Sequence, residues 1–425
     1  VALSGRPGPV HLDIPADIMF KTSTLEALPD PQRYRAQSSR VRSDSSLVRD
    51  VSQCVSRAKR PLLVAGGGVA RSEAWEEFSR LLKSTRIPAT TTPMAAGVIA
   101  PGYDGFIGAG GMLGGDAVIK ALREADVVLA IGCRFSTWLG FGQPPIMGSP
   151  EQKIIQVDID PEMIGQHTDI ALGVVSDAKL FLRDLLEVMT KERLPIQMEP
   201  SWPTVLAEAY RDYLKKAHAV ADAPSNSMSQ ATLAKEVSAC VEDDAILYFD
   251  GALAMEWSNT FIRIRNPRQS FFAAGMGHLG FGQPFANAAK LLYPGKQVLN
   301  IAGDGAFGCT LQELETAVRY NLAVINIISN DRAWGLAKEI QVALYNHPVG
   351  VDFTDAQYAD IAKGFGAYGE RVEDPKEIKP ALARAMKSGK PAVLDVRTKT
   401  QGHIIDPYFA DVCFKRCELP RCGKE

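Results

Sequence analysis

Short apolar runs alternate along this chain with stretches whose apolar positions recur at helical spacing, the pattern of strands and helices taken in turn. Residues 61–69, 88–92, 126–132 and 154–159 read as buried strands, and 47–58, 75–84 and 116–124 as helices. From about residue 45 to 190 the alternation predicts a six-strand-like parallel sheet with helices on both faces. Residues 21–44 are polar and Pro-interrupted and read as a linker. A second linker, 191–228, carries an amphipathic helix at 202–218. Beyond it, helix 230–240, strand 245–249, strand 298–302, helix 311–320 and strand 323–329 begin another α/β unit. Helices at 352–365 and 375–387 and a strand at 392–396 complete it, and an alternating strand is also expected at 10–14. The fold class that follows is α/β, with two doubly wound parallel-sheet domains at 45–190 and 229–400 and a tail at 401–425.

The most informative stretch is 300–335. An apolar strand breaks at Gly303-Asp304-Gly305, a helix follows, and a second strand ends at Asn330-Asp331. Thr310 and Glu313 have the spacing of a capping box. Such a β-α-β unit is expected to be parallel with a right-handed crossover. Asp304 and Asp331 then sit just past the carboxyl ends of two strands, the edge where open α/β sheets bind ligands. Oxygen-bearing side chains converging there suit Mg²⁺, which keeps positions open for phosphate oxygens. Gly305 and Ala306 would leave backbone amides to meet an anion. The competing reading is a polar turn after a buried strand.

Composition narrows the class. The chain has 425 residues, too many for one core. With 46% hydrophobic and 23% charged residues it has an ordinary globular balance. A formal charge of −2 argues against a broad nucleic-acid surface. No apolar run approaches the ~20 residues of a membrane span, so no membrane partner is expected. No signal peptide is visible, although the chain starts at Val1. Seven scattered cysteines suit a reducing cytosol, so a cytoplasmic location is expected. Cys413, Cys417 and Cys422 match no common zinc spacing and read as an exposed tail rather than a metal site.

GDG followed, after one helix and one strand, by an Asn-Asn-like pair resembles thiamine diphosphate enzymes of the acetolactate synthase superfamily, which includes the 2-hydroxyacyl-CoA and oxalyl-CoA lyases. The resemblance implies thiamine diphosphate and Mg²⁺ as cofactors, with Asp304, Asp331 and the main-chain carbonyl of Ala333 as metal ligands. The family usually has Asn where this chain has Asp331, which adds a negative charge beside the diphosphate. Gly303, Gly305, Ala306, Asn330, Gly277 and Met255 fall at cofactor-binding positions. Leu279 aligns with a bulky apolar wedge that bends the cofactor; otherwise it is core. His278 beside it is either an acid–base group or structural. In the segment 250–257 relatives carry Asn or His where Leu253 and Ala254 stand, which implies a missing phosphate contact.

The central segment resembles the family's Rossmann-like domain, which binds FAD or ADP. Gly66, Gly67 and Gly68 can approach a pyrophosphate or simply make a tight turn. Asp158 is a ribose partner or a solvated strand end. Arg134 lies in the family's Gly-Ala-Arg-like turn, and Asp177 matches a position near the adenosine. Residues 5–15, GRPGPVHLDIP, resemble the end of an amino-terminal pyrimidine-binding domain, so 1–44 is read as that end plus a linker. The glutamate that activates the cofactor belongs to that domain, and no residue here is assigned a catalytic role.

The expected activity is an acetolactate synthase-like carboligase or lyase on a 2-oxo acid. A 2-hydroxyacyl-CoA or oxalyl-CoA lyase is the second reading, favoured by Gly140-Phe141-Gly142-Gln143-Pro144-Pro145 and by residues 315–322. A non-catalytic cofactor-binding subunit or fragment is the third, and a nicotinamide dehydrogenase a poor fourth because GxGxxG is missing. The resemblance also implies a homodimer or homotetramer, or a partner subunit carrying the pyrimidine domain.

Overall fold

A computed structural model describes residues 2–404 apart from 4, 23, 25–26, 28–29, 34–39 and 274. The cysteine cluster and most of the expected tail lie outside the described residues. Two six-stranded, all-parallel sheets organise the rest.

The first sheet contains β1 (Pro61–Ala65), β2 (Ala89–Thr91), β3 (Phe106–Ala109), β4 (Val127–Ile131), β5 (Lys153–Asp158) and β6 (Leu172–Val175), in the order β3-β2-β1-β4-β5-β6. β1 and β4 are buried along their whole length because helices cover both faces. Helices Ser45–Arg57 and Asp116–Glu124 stand close to their expected limits. β3 and β6 are short and only partly buried, which explains why the apolar pattern did not reveal them.

The second sheet contains β7 (Ile246–Asp250), β8 (Ser270–Phe271), β9 (Val298–Gly303), β10 (Ile325–Asn330), β11 (Tyr368–Val372) and β12 (Ala392–Arg397), in the order β11-β12-β10-β9-β7-β8. β9 and β10 are neighbours in parallel register, with Gly303 opposite Ser329. The strand order reverses between β7 and β9, so the carboxyl ends of β7, β9 and β10 border a switch-point crevice.

Helix Ser201–Ala221 joins the two sheets, and a shared apolar cluster of Leu113, Trp138, Tyr213 and Met255 packs across the junction. At its edge the Tyr213 hydroxyl donates to the Leu113 carbonyl (3.1 Å) and pairs with the Thr260 hydroxyl (2.8 Å). Thr260 in turn meets His403 Nε2 at 2.9 Å. No helix among the described residues is long and apolar enough to cross a membrane.

Three local expectations are corrected. Residues 10–14 form no strand and are exposed, with no neighbouring strand to pair with. The expected helix 352–365 is reduced to Tyr358–Gly364, because Asp352 instead bridges to Ala333. Thr310 does not cap a helix. A short helix, Asp304–Gly308, starts directly at the strand end, the next runs Glu313–Arg319, and the Thr310 hydroxyl donates to the Gly280 carbonyl at 2.7 Å.

Candidate cofactor and metal site

β9 and β10 carry Asp304 and Asp331 to one place. Asp304 is buried, and both of its carboxylate oxygens accept backbone amides: Gly305 at 2.9 Å and Arg332 at 2.8 Å. Tyr358 donates its hydroxyl to the Asp304 carbonyl at 3.2 Å. Burial, and then the charge of Asp331, push the Asp304 carboxyl up to about 7 from 3.8 despite those amides. Burial raises Asp331 as well, opposed by the Thr400 hydroxyl and the Ala333 amide. Gln230 Nε2 donates to Asp331 Oδ2 at 3.1 Å. Two like charges held together away from water are costly unless a cation joins them.

The third expected ligand is placed by backbone pairing. Trp334 N–H donates to the Val351 carbonyl (2.8 Å) and Phe353 N–H to the Arg332 carbonyl (2.7 Å). Ala333 and Asp352 are therefore the non-hydrogen-bonded pair between those two bonds, so the bridge does not use the Ala333 carbonyl. Arg332 holds φ = 59°, turning the chain sharply between Asp331 and Ala333. Gly303 faces open space, where an added Cβ would meet nothing within 4 Å. Among the described residues no group of three or more His, Cys, Asp or Glu could hold a metal. Two carboxylates, a carbonyl and adjoining space fit a hard divalent cation that keeps positions for phosphate oxygens.

Two glycines shape this site. A Cβ on Gly305 would lie 2.5 Å from the Trp334 ring, and one on Gly335 would lie 2.7 Å from Asp331 Oδ2 and 2.8 Å from Leu253 Cδ1. Gln230, Thr400 and Trp334 thus join Leu253 beside the pair, although the sequence did not single those three out as site residues. They are far from Asp304 along the chain, and only the crossing of the strands unites them. Gly280 and Gly282 are further such positions, because their amides bind the Asp250 carboxylate that closes β7.

Other expected positions fall differently. The Gly305 amide, expected to meet an anion, is taken by Asp304 itself. Asn330 turns away: its Nδ2 donates to Asp395 (2.8 Å) and its Oδ1 accepts from Arg397 (2.8 Å), tying β10 to β12. Met255 is enclosed in the core. Ala306 is buried beside Gly251. Gly277 takes φ = 65° on an open loop, and Leu279 beyond it is 38% exposed. His278 is exposed, with its ring edge-on to Phe281.

In the central domain the glycines serve packing. Gly66 and Gly68 lie against Gly132, where an added Cβ would come within 2.1 and 2.6 Å of its backbone. The Gly68 amide donates to the Gly132 carbonyl (3.0 Å), so it does not face a ligand. A Cβ on Gly67 would lie 3.0 Å from the Met94 side chain. Asp177 Oδ1 caps helix Ala178–Lys191 through the Lys179 and Leu180 amides and pairs with Arg40 at 2.9 Å, and its Oδ2 accepts from the Ser72 hydroxyl at 2.7 Å and from Arg40 at 3.1 Å, so both oxygens are engaged within the protein. Asp158 is buried at the end of β5 and accepts the Asp160 amide, and burial raises its carboxyl. Arg134 is exposed, and its pKa is lowered first by desolvation and then by Arg6 and Arg71.

Comparison with known proteins bears on both sheets. Residues 48–185 match the family model "Thiamine pyrophosphate enzyme, central domain", and residues 251–396 match "Thiamine pyrophosphate enzyme, C-terminal TPP binding domain". A probable acetolactate synthase large subunit of Methanococcus aeolicus is 30% identical over 411 residues, covering 93% of this chain and 68% of that protein. Acetolactate synthase of Mycobacterium bovis is 29% identical over 409 residues, 93% and 64% of the two chains. The 2-hydroxyacyl-CoA lyase 1 of Mus musculus is 28% identical over 420 residues, 94% and 70%. The chain therefore spans about two thirds of the length of these relatives. With two parallel-sheet domains, both matched, and a relative at 30% identity along nearly the whole sequence, this chain belongs to the thiamine pyrophosphate enzyme family.

Proposed function

We propose that the chain holds thiamine diphosphate through Mg²⁺ and takes part in making or breaking a carbon–carbon bond of a 2-oxo acid, as an acetolactate synthase-like enzyme. The observation that carries this reading is the pairing of buried Asp304 with half-buried Asp331 at two adjacent strand ends, two carboxylates in want of a cation. Asp304, Asp331 and the Ala333 carbonyl would hold the metal, whose remaining positions would take diphosphate oxygens. When bound, the thiazolium ring of the cofactor acts as an electron sink for carbon–carbon chemistry at a carbonyl. The residues of this chain supply binding and orientation. Gln230 and Thr400 hold Asp331 in place, the Arg332 amide holds Asp304, and Leu279 presents an apolar surface toward the cofactor rings. Leu253, packed beside Gly335, keeps water from the Asp331 side.

A lyase acting on a 2-hydroxyacyl-CoA or oxalyl-CoA is the second reading. It is favoured by the Gly-Phe-Gly-Gln-Pro-Pro run at 140–145 and by the likeness to the murine lyase. A cofactor-binding subunit that needs a separate pyrimidine domain is the third. Assembly as a homodimer or homotetramer, or with such a partner, belongs to the same proposal.

Titration calorimetry of the full chain with thiamine diphosphate tests the binding step. The expected result is binding that requires Mg²⁺ and is abolished by a chelator; metal-independent binding would refute the cradle. Turnover of pyruvate against that of the two CoA thioesters, with and without an added pyrimidine domain, separates the three readings. Product from pyruvate supports the first, product from a thioester the second, and activity only with the added domain the third.

A further inference from the structure

The loop that carries Leu279 is fastened by a carboxylate from the neighbouring strand. Asp250 closes β7, opposite Ala302 of β9, and so stands one strand over from the segment that delivers Asp304. It is 1% exposed, and no Lys or Arg pairs with it among the described ion pairs. Its Oδ1 accepts the Gly280 amide at 3.2 Å and its Oδ2 the Gly282 amide at 2.8 Å. From the other side the Thr310 hydroxyl donates to the Gly280 carbonyl. The grip tolerates no side chain. A Cβ on Gly280, which has φ = 85°, would lie 2.7 Å from Cys309 Cβ, and one on Gly282 would lie 2.1 Å from Asn300 Oδ1. On the other flank of Leu279, a Cβ on Gly275 or Gly277 would meet nothing within 4 Å. The loop is thus locked directly after Leu279 and open before it.

We propose that Asp250 is a positioning residue: by holding Gly280 and Gly282 it fixes Leu279 relative to the strand end that carries Asp304, and so selects for an organic group carried on the diphosphate. This rests on the thiamine diphosphate reading above. Neighbouring strands in a sheet keep a fixed spacing, so a loop tied to β7 is placed relative to a metal tied to β9 and β10. The anchor acts through Leu279 and does not touch the diphosphate. A carboxylate that merely capped helix Gly282–Leu292 would affect stability without discriminating between ligands.

The test uses the full chain with Mg²⁺ and two ligands, thiamine diphosphate and inorganic pyrophosphate, titrated into wild type, Asp250→Asn, Leu279→Ala and the double variant. Asp250→Asn and Leu279→Ala should each weaken thiamine diphosphate binding about tenfold while pyrophosphate changes by less than about twofold. The double variant should be no weaker than the worse single one. Amide exchange over 279–282 should quicken in Asp250→Asn. Equal loss of both ligands, additive losses in the double variant, or unchanged thiamine diphosphate binding would each overturn the proposal. Should Asp250→Asn not fold, Thr310→Val, which frees the same loop at the Gly280 carbonyl, must split the two ligands in the same way, and failure to do so overturns the proposal equally. A wild type that binds neither ligand refutes the Asp304–Asp331 cradle itself. A wild type that binds both equally leaves the cradle standing and overturns the role of Asp250.

Discussion

Asp304 is a carboxylate whose surroundings oppose its charge. Its folded value of about 7 lies above the 3.8 of an exposed aspartate, so the folded chain binds this proton more tightly than the unfolded one. The stability it contributes is complete below pH 3.8 and is lost as the pH rises through about 7. Metal-free chain should therefore lose stability over that window, Mg²⁺ should restore it at pH 7.5, and Asp304→Asn should diminish both effects, leaving the part due to Asp331. Urea melts at pH 5 and 7.5, with and without Mg²⁺, check this; a pH-independent difference between the two proteins would contradict it. Gly335→Ala makes a separate point. Its methyl would press on Asp331 Oδ2 and Leu253, so Mg²⁺ affinity in the presence of pyrophosphate should fall about tenfold with little change in melting temperature. Calorimetry reads the first quantity and a thermal melt the second. Both acids were legible from sequence because each ends an apolar run. Asp250 ends one too, but its partners Gly280 and Gly282 lie thirty residues on, and nothing local marks the pairing.

At the level of elements, local patterning reached some parts and not others. Helix Asp116–Glu124 and strands β4 and β9 could be read because a continuous apolar run or a helical repeat matched their burial. Helix Gly335–Tyr345 could not, since it buries none of its residues and so shows no face. β8 and β11 are short or half-buried edge strands, where pairing rather than apolar content makes the strand. The triple glycine at 66–68 shows a motif with two meanings. Sequence allows close approach to a ligand or to other backbone, and here the partner is Gly132. Gly132→Ala, with φ = 60° and its Cβ 2.5 Å from Gly68 Cα, should cost about 3 kcal/mol of stability in chemical denaturation. Binding of Mg²⁺ and diphosphate should survive below the melting point, because the second sheet is untouched; loss of both together would argue against this assignment.

Across the whole molecule, the two sheets are joined by the Leu113–Tyr213–Thr260–His403 chain of hydrogen bonds as well as by apolar contact. Tyr213→Phe keeps the ring and removes the hydroxyl, leaving the Leu113 carbonyl without that donor. It should lower stability by about 2 kcal/mol and separate one calorimetric unfolding transition into two. A single transition of unchanged midpoint would show that the apolar junction suffices. The register of β9 on β10 has a wider consequence. Asp304 and Asp331 meet only because Gly303 lies opposite Ser329, and a slip of one residue would exchange the side chains that β10 presents to its two buried faces, Ile327 for Ile328, while carrying the acids apart. Pairing β9 with β10 in this register is therefore also what brings the two acids together. If the two acids hold magnesium as proposed, a magnesium titration would serve as a census of molecules whose second sheet is correctly registered, as informative about refolding yield as about chemistry.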